Sequence, residues 1–204
     1  MLNNSEVPKR ILFFGDSLTQ YATLPQGYIT LLNASLEREN RSAKFSLIGA
    51  GIGGDKIYDL YLRLEDDVLN QHPDKVVIMI GINDIWHKTS GIGTDQVKFK
   101  RFYEAVISRL QTKNIQIVLV TPTLIGEYKN LRNSQDQDLE LYAEIIRELA
   151  ETHTCELIDL RKIFTGYIQK HNTNNAEFGV LTYDKVHLNN IGNQLIHDAF
   201  SDLF

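Results

Sequence analysis

Short apolar runs alternate along this chain with longer stretches of helical periodicity, and that alternation limits the fold more than any other feature. Residues 11–14, 45–48, 76–80, 115–120 and 156–158 read as strands. They are rich in Val, Ile and Phe and lack polar alternation, the mark of strands buried on both faces. Between them, 28–39, 57–69, 99–110, 139–150 and 191–204 carry apolar residues at helical spacing. The first places them at 28, 29, 31, 32 and 36, the second at 57, 60, 61, 64 and 68. Strand–helix alternation repeated about five times predicts a parallel sheet covered by helices on both faces. Right-handed crossovers make that a three-layer α/β/α sandwich, with a central parallel sheet of about five strands. The chain has 204 residues, with no internal repeat, no low-complexity tract and no linker dense in Pro or Gly. Residues 1–204 therefore read as one domain.

Composition removes several function classes. The net charge is −5, whereas nucleic-acid and anionic-membrane binding need clustered positive charge. The single cysteine, Cys155, excludes an intramolecular disulfide and a Cys-based zinc site. It is read as a buried, inert thiol opening a strand. No apolar run approaches membrane-spanning length. Met1 to Arg10 is polar and lacks a signal-peptide core. The default compartment is cytoplasmic, or secreted if a leader was removed. Three N-x-[ST] matches, at Asn3, Asn33 and Asn40, read as chance. Oligomeric state is left open.

In open parallel sheets, sites form where strands end, at the carboxyl edge. Gly15-Asp16-Ser17-Leu18-Thr19 follows the first strand, Gly49-Ala50-Gly51-Ile52-Gly53-Gly54-Asp55 the second, and Gly81-Ile82-Asn83-Asp84 the third. Tyr183-Asp184-Lys185-Val186-His187-Leu188-Asn189 precedes the last helix. A serine hydroxyl needs a base to become a nucleophile, and histidine titrates near neutrality. A carboxylate on the second ring nitrogen fixes the tautomer. Asp184 and His187 lie three residues apart, a spacing that lets one carboxylate reach the ring on a turn entering a helix. Ser17 meets His187 if the last loop returns to the same sheet edge. An oxyanion needs preorganised donors. The Gly54 N–H, the Asn83 side-chain amide and the Ser17 N–H can supply them, the glycine by close backbone approach.

The order and placement of these segments resemble the SGNH hydrolases, also called GDSL esterases and lipases, from Phe13 to about Gly192. The four family markers match Ser17 in Gly-Asp-Ser-Leu, Gly54 in the glycine-rich block, Asn83 in Gly-x-Asn-Asp and His187 in Asp-x-x-His. The His-Leu-Asn continuation followed by Gly192 is also family-like. The resemblance implies a flavodoxin-like fold, with Ser17 as nucleophile, His187 as base and Asp184 as orienting acid. It implies an oxyanion hole of Ser17, Gly54 and Asn83, with no cofactor and no metal. One departure is the second block, where Gly49 or Ala50 stands in place of a frequent Asn and leaves a supporting contact unassigned. The Gly-x-Ser-x-Gly elbow of α/β-hydrolases is absent, since Thr19 stands where the second Gly belongs.

Two patterns in the chain mimic other sites. Gly49 to Gly54 matches the G-x-G-x-x-G dinucleotide fingerprint. The acids that follow, Glu65, Asp66 and Asp67, lie inside a helical pattern and not at the end of the next strand, which argues against nucleotide binding. Asp16, Asp55 and Asp84 read as structural acceptors that fix loop shape and not as a metal site. His72, His153, His171 and His197 read as surface or helix residues. Specificity should lie in loops 21–26, 86–94, 123–132 and 171–183. Trp86, His87, Leu124 and Tyr128 are the expected substrate-binding residues, with Ile92, Ile125 and Phe178 completing an apolar acyl pocket. Lys88, Lys129 and Arg132 would meet a polar leaving group. The expected partner is a small-molecule ester, and the expected activity is hydrolysis of a short-chain acyl or acetyl ester through an acyl-enzyme. The alternatives are an acyl thioesterase or lysophospholipase-type lipase, an O-acyltransferase using the same site, and a non-catalytic binding module.

Overall fold

The structure is a computed structural model that describes residues 7–204; the Asn3 match lies outside them. Strands β1 (Lys9–Gly15), β2 (Phe45–Gly51), β3 (Lys75–Met79), β4 (Gln116–Val120) and β5 (Glu156–Ile158) form one parallel sheet, in the order β2-β1-β3-β4-β5. Around it lie helices α1 (Ser17–Tyr21), α2 (Tyr28–Arg38), α3 (Ile57–Asp67), α4 (Ile82–Trp86), α5 (Gln96–Gln111), α6 (Asp136–Thr152), α7 (Leu160–His171) and α8 (Asn190–Phe200). This is the flavodoxin-like strand order. The first crossover runs from β1 outward to β2 and the later ones run the other way, past β1 to β3, β4 and β5. With right-handed connections, α2 lies on one face and α3, α5 and α6 on the other. α8 packs beside α2 and α7.

The alternation along β1 shows how the two faces are filled. The Phe13 ring meets Tyr28 of α2 and Phe200 of α8, each at 5.9 Å. Phe14 points to the opposite face, where the Arg63 guanidinium of α3 lies 4.5 Å from its ring centre. Successive side chains on a strand point to opposite faces, so both core layers are pinned to one strand. β1 and β3 diverge into loops on opposite faces, and the crevice between them is the expected place for a ligand.

Three readings need correction. The strands buried on both faces are the inner ones; β2 and β5 are edge strands and stay partly exposed. Second, α7 was not expected. Its apolar residues at 160, 163, 164, 167 and 168 follow a helical stripe, and Asp159 caps it by accepting the Lys162 N–H. The last helix also ends at Phe200, with a tight 3₁₀ turn beyond it. Third, Cys155 precedes β5 and is only half-buried, with its thiol pushed up by that burial. Among the described residues, no helix is long and apolar enough to cross a membrane.

Candidate active site

β1 must end in glycine, because a Cβ on Gly15 would lie 2.3 Å from the Met79 carbonyl oxygen of β3. Asp16 then starts α1 by accepting the Leu18 N–H at 3.0 Å. This puts Ser17 at the first helical position, 7% exposed, with its hydroxyl at the carboxyl edge. His187 arrives from the segment before α8. Its Nε2 lies 3.1 Å from Ser17 Oγ, and its Nδ1 lies 2.7 Å from Asp184 Oδ2. The other Asp184 oxygen accepts the backbone N–H groups of Val186 at 3.1 Å and His187 at 2.8 Å. Partial burial works against the Asp184 charge, but the hydrogen bonds from the His187 ring and from these N–H groups outweigh it and hold the carboxyl below its usual range. A proton on Nδ1 directed at Asp184 leaves the Nε2 lone pair facing the serine hydroxyl, which is the tautomer a base needs.

The proposed oxyanion donors come from three loops. Ser17 N–H belongs to the first turn of α1 and has no intrahelical acceptor. Gly54 N–H meets no backbone acceptor among the described residues. Glycine is needed at 54 for its φ of +85°, while a Cβ there would meet nothing within 4 Å; the requirement is the left-handed turn and not a close approach. Asn83, in the first turn of α4, donates one N–H to the Asp55 carbonyl at 3.0 Å and keeps the second N–H of the same nitrogen free of that bond.

The three acids behave as acceptors. Asp84 takes the Ile57 N–H at the start of α3 with both oxygens. Asp55 binds Arg63 at 2.7 Å. That guanidinium also donates to the carbonyls of Gly15, at 2.8 Å, and Ala50, at 3.1 Å. Arg63 thus joins the ends of β1 and β2 to the Gly54 loop. Burial raises Asp16 from 3.8 to about 7; its bond from Leu18 N–H opposes the shift, and the Asp84 and Asp55 charges reinforce it. Burial likewise raises Asp84 to about 6, against the Ile57 N–H and the Lys56 charge. Among the described residues, no three His, Cys, Asp or Glu side chains are grouped to hold a metal ion.

The raised Asp16 has a measurable sign. Between 3.8 and about 7 the folded chain holds a proton that the unfolded chain releases, so this group's contribution to stability falls as pH rises through that window. The parent should therefore lose Tm relative to Asp16→Asn as pH rises across it. Parallel Tm profiles for the two proteins would contradict the burial argument.

Two clefts flank the site, the first lined by His187 and the second by Trp86. One, of about 500 Å³, is walled by Tyr21, Leu24, Tyr183 and His187 itself. The other, of about 420 Å³, is walled by Trp86, Ile125, Tyr128, Arg132, Glu177 and Lys185. The rings of Tyr21 and Trp86 lie 5.4 Å and 6.2 Å from the imidazole. Of the expected substrate residues, Trp86 and Tyr128 line the second cleft. His87 stacks on Trp86 at 5.9 Å, and burial with the Lys56 charge lowers its pKa. Leu124 is in the core. Ile92 and Phe178 face solvent. Lys88 is paired with Asp138 at 3.2 Å, so it is not a free cation for a leaving group. Sequence reasoning missed Arg63 and the buried Glu127, while Tyr21 opens the expected specificity loop 21–26 and lines the first cleft. Tyr21 carried a signal, since it lies one helical turn beyond Ser17.

A family model described as GDSL-like lipase/acylhydrolase matches residues 13–195. The chain belongs to this family. Within it, a curated acetylxylan esterase of Geobacillus stearothermophilus is 28% identical over 94% of this chain and 92% of its own length. A solved acetyl xylan esterase, AlAXEase, is 51% identical over 95% of this chain and 98% of that one, with a TM-score of 0.94. A second solved enzyme, LAE5, described as an alpha/beta hydrolase from the metagenome of Lake Arreo, Spain, is 27% identical with a TM-score of 0.83. Family and relatives together make this chain a serine carboxylic ester hydrolase.

Proposed function

We propose that the chain, acting as one hydrolase domain, removes acetyl groups from an acetylated carbohydrate of the xylan type. The observation that carries the catalytic part is the unbroken line from Ser17 Oγ through His187 to Asp184. Ser17 Oγ attacks the acetyl carbonyl carbon as its proton passes to His187 Nε2. The carbonyl oxygen gains the negative charge and is met by Ser17 N–H, Gly54 N–H and Asn83 Nδ2. Collapse breaks the bond to the sugar oxygen, which takes the proton from His187. Water, deprotonated by His187, then attacks the acetyl-serine, and acetate leaves as Ser17 regains its proton.

The two acetylxylan esterase relatives support acetyl as the acyl group and xylan as its carrier. The walls agree. Leu124, expected in an acyl pocket, is sealed in the core, and Ile92 and Phe178 turn outward, so no apolar tunnel is assembled from them. The two clefts are open and edged by Tyr21, Tyr183, Trp86 and Tyr128, rings suited to the mixed apolar and hydroxyl faces of sugars. We expect p-nitrophenyl acetate to exceed the octanoate ester in kcat/KM by about tenfold or more, a difference of about 1.4 kcal/mol in barrier. Acetate should also be released from acetylated xylo-oligosaccharides. A rate optimum at octanoate or longer, with no acetate released from the oligosaccharide, would replace this reading with a lipase.

A further inference from the structure

The segment between α7 and α8 carries Asp184 and His187, yet it holds no helix and no named strand, only the single pairing of Thr182 with Leu188. A stretch this long inside a domain does not hold catalytic geometry by itself. Besides the segment's own turns, Glu127, from the loop after β4, ties it down. Glu127 is 0% exposed. Its Oε2 accepts the Val180 N–H at 2.7 Å. Its Oε1 accepts the N–H groups of Leu181, at 2.8 Å, and Thr182, at 2.7 Å, and the Thr182 hydroxyl at 2.7 Å. Oε1 thus takes three donors and Oε2 one. Bonds to a charged acceptor are the strong ones.

The contact continues toward the site. While its O–H donates to Glu127, the Thr182 hydroxyl oxygen accepts the Lys185 N–H at 3.2 Å. Lys185 sits at φ +85°, a region that side chains other than glycine rarely occupy. Its carbonyl accepts the Gly126 N–H at 2.9 Å. Both sides of Lys185 are thereby tied to residues 126–127, and Asp184 and His187 lie on either side of it. We infer that Glu127 is a positioning residue, which acts through the Thr182 hydroxyl to set the turn that aims the Asp184–His187 pair at Ser17. The inference rests on the reading of His187 as the base.

The test uses Glu127→Gln, Thr182→Val, Thr182→Ser and His187→Ala, assayed on p-nitrophenyl acetate well below each variant's Tm. Gln at 127 turns an N–H toward the Val180 N–H or toward the donors of Thr182. Val at 182 keeps the shape and removes the hydroxyl. Misplacement by about 1 Å costs about 10²-fold in rate, so kcat should fall by about that factor in Glu127→Gln and Thr182→Val while KM stays near the parent value. Thr182→Ser should recover most of the loss. The low-field proton resonance of His187 Nδ1–H, present in the parent and in Thr182→Ser, should be lost in the two impaired variants. A purely structural contact would lower Tm without moving kcat or that resonance in the folded protein. The inference is overturned if folded Thr182→Val keeps kcat within about twofold of the parent, or if Thr182→Ser is as impaired as Thr182→Val. Should Glu127→Gln fail to fold, the two Thr182 variants still decide the matter. Full activity in His187→Ala is a separate result, which removes the base assignment itself and the inference with it.

Discussion

Ser17→Ala is expected to abolish ester hydrolysis and to leave the fold intact. The expected loss in kcat is about 10⁴-fold or more, the scale seen when a serine nucleophile is deleted and only oxyanion donors and binding remain. The Ser17 hydroxyl makes one side-chain hydrogen bond, to His187, and His187 keeps its anchor to Asp184 without it. Tm should therefore stay close to the parent value. The measurement is steady-state hydrolysis of p-nitrophenyl acetate beside a thermal melt. Retention of most of the activity would remove Ser17 from the mechanism.

Asn83→Ala is expected to cost about 10²- to 10³-fold, the usual loss of one oxyanion donor. The loss should fall on kcat, because the amide meets charge that develops only in the transition state. The side chain is 3% exposed and also holds the Asp55 carbonyl, so some loss of Tm should accompany it. That second bond belongs to the Gly54 loop, and its removal loosens another donor as well. An effect confined to KM would assign Asn83 to substrate binding and leave the oxyanion without its side-chain donor.

The parts of the fold that were legible in the sequence are those where one local pattern points one way. The runs at 11–14 and 76–80 are apolar because their neighbours cover both faces, and they became β1 and β3. The edge strands β2 and β5 were found as strands but given too much burial, since a run of three to seven residues does not reveal where the sheet stops. α7 is periodic too, but its stripe at 160, 163, 164, 167 and 168 begins two residues beyond β5 and has no separate signal to set it apart from that short strand. α1 and α4, at five residues each, are too short for periodicity to appear.

The site divides in the same manner. The candidates Ser17, Gly54, Asn83, Asp184 and His187 stand out in the sequence because each lies in a compact segment directly after a strand or before a helix. The residues that hold those segments together were not visible. Arg63 looks like any charged residue on a helix until the fold brings the Gly15 and Ala50 carbonyls to it. Glu127 is an acid in a loop until residues 180–182 close over it, 53 to 55 positions away along the chain. Contacts at that separation leave no local trace. Leu124 shows the reverse error: an apolar loop residue was placed in the substrate pocket, and burial in the core claimed it.

The central claim is that Ser17 forms the covalent acyl-enzyme, and a serine-directed phosphonate tests it most directly. The parent protein is titrated with a p-nitrophenyl phosphonate, the released nitrophenol is counted against lost activity, and the modified peptide is mapped by mass spectrometry. The account predicts one adduct per chain, carried by Ser17, with activity lost in proportion and no labelling of Ser17→Ala. Complete inactivation with the adduct on another residue, or full activity with Ser17 labelled, would contradict it.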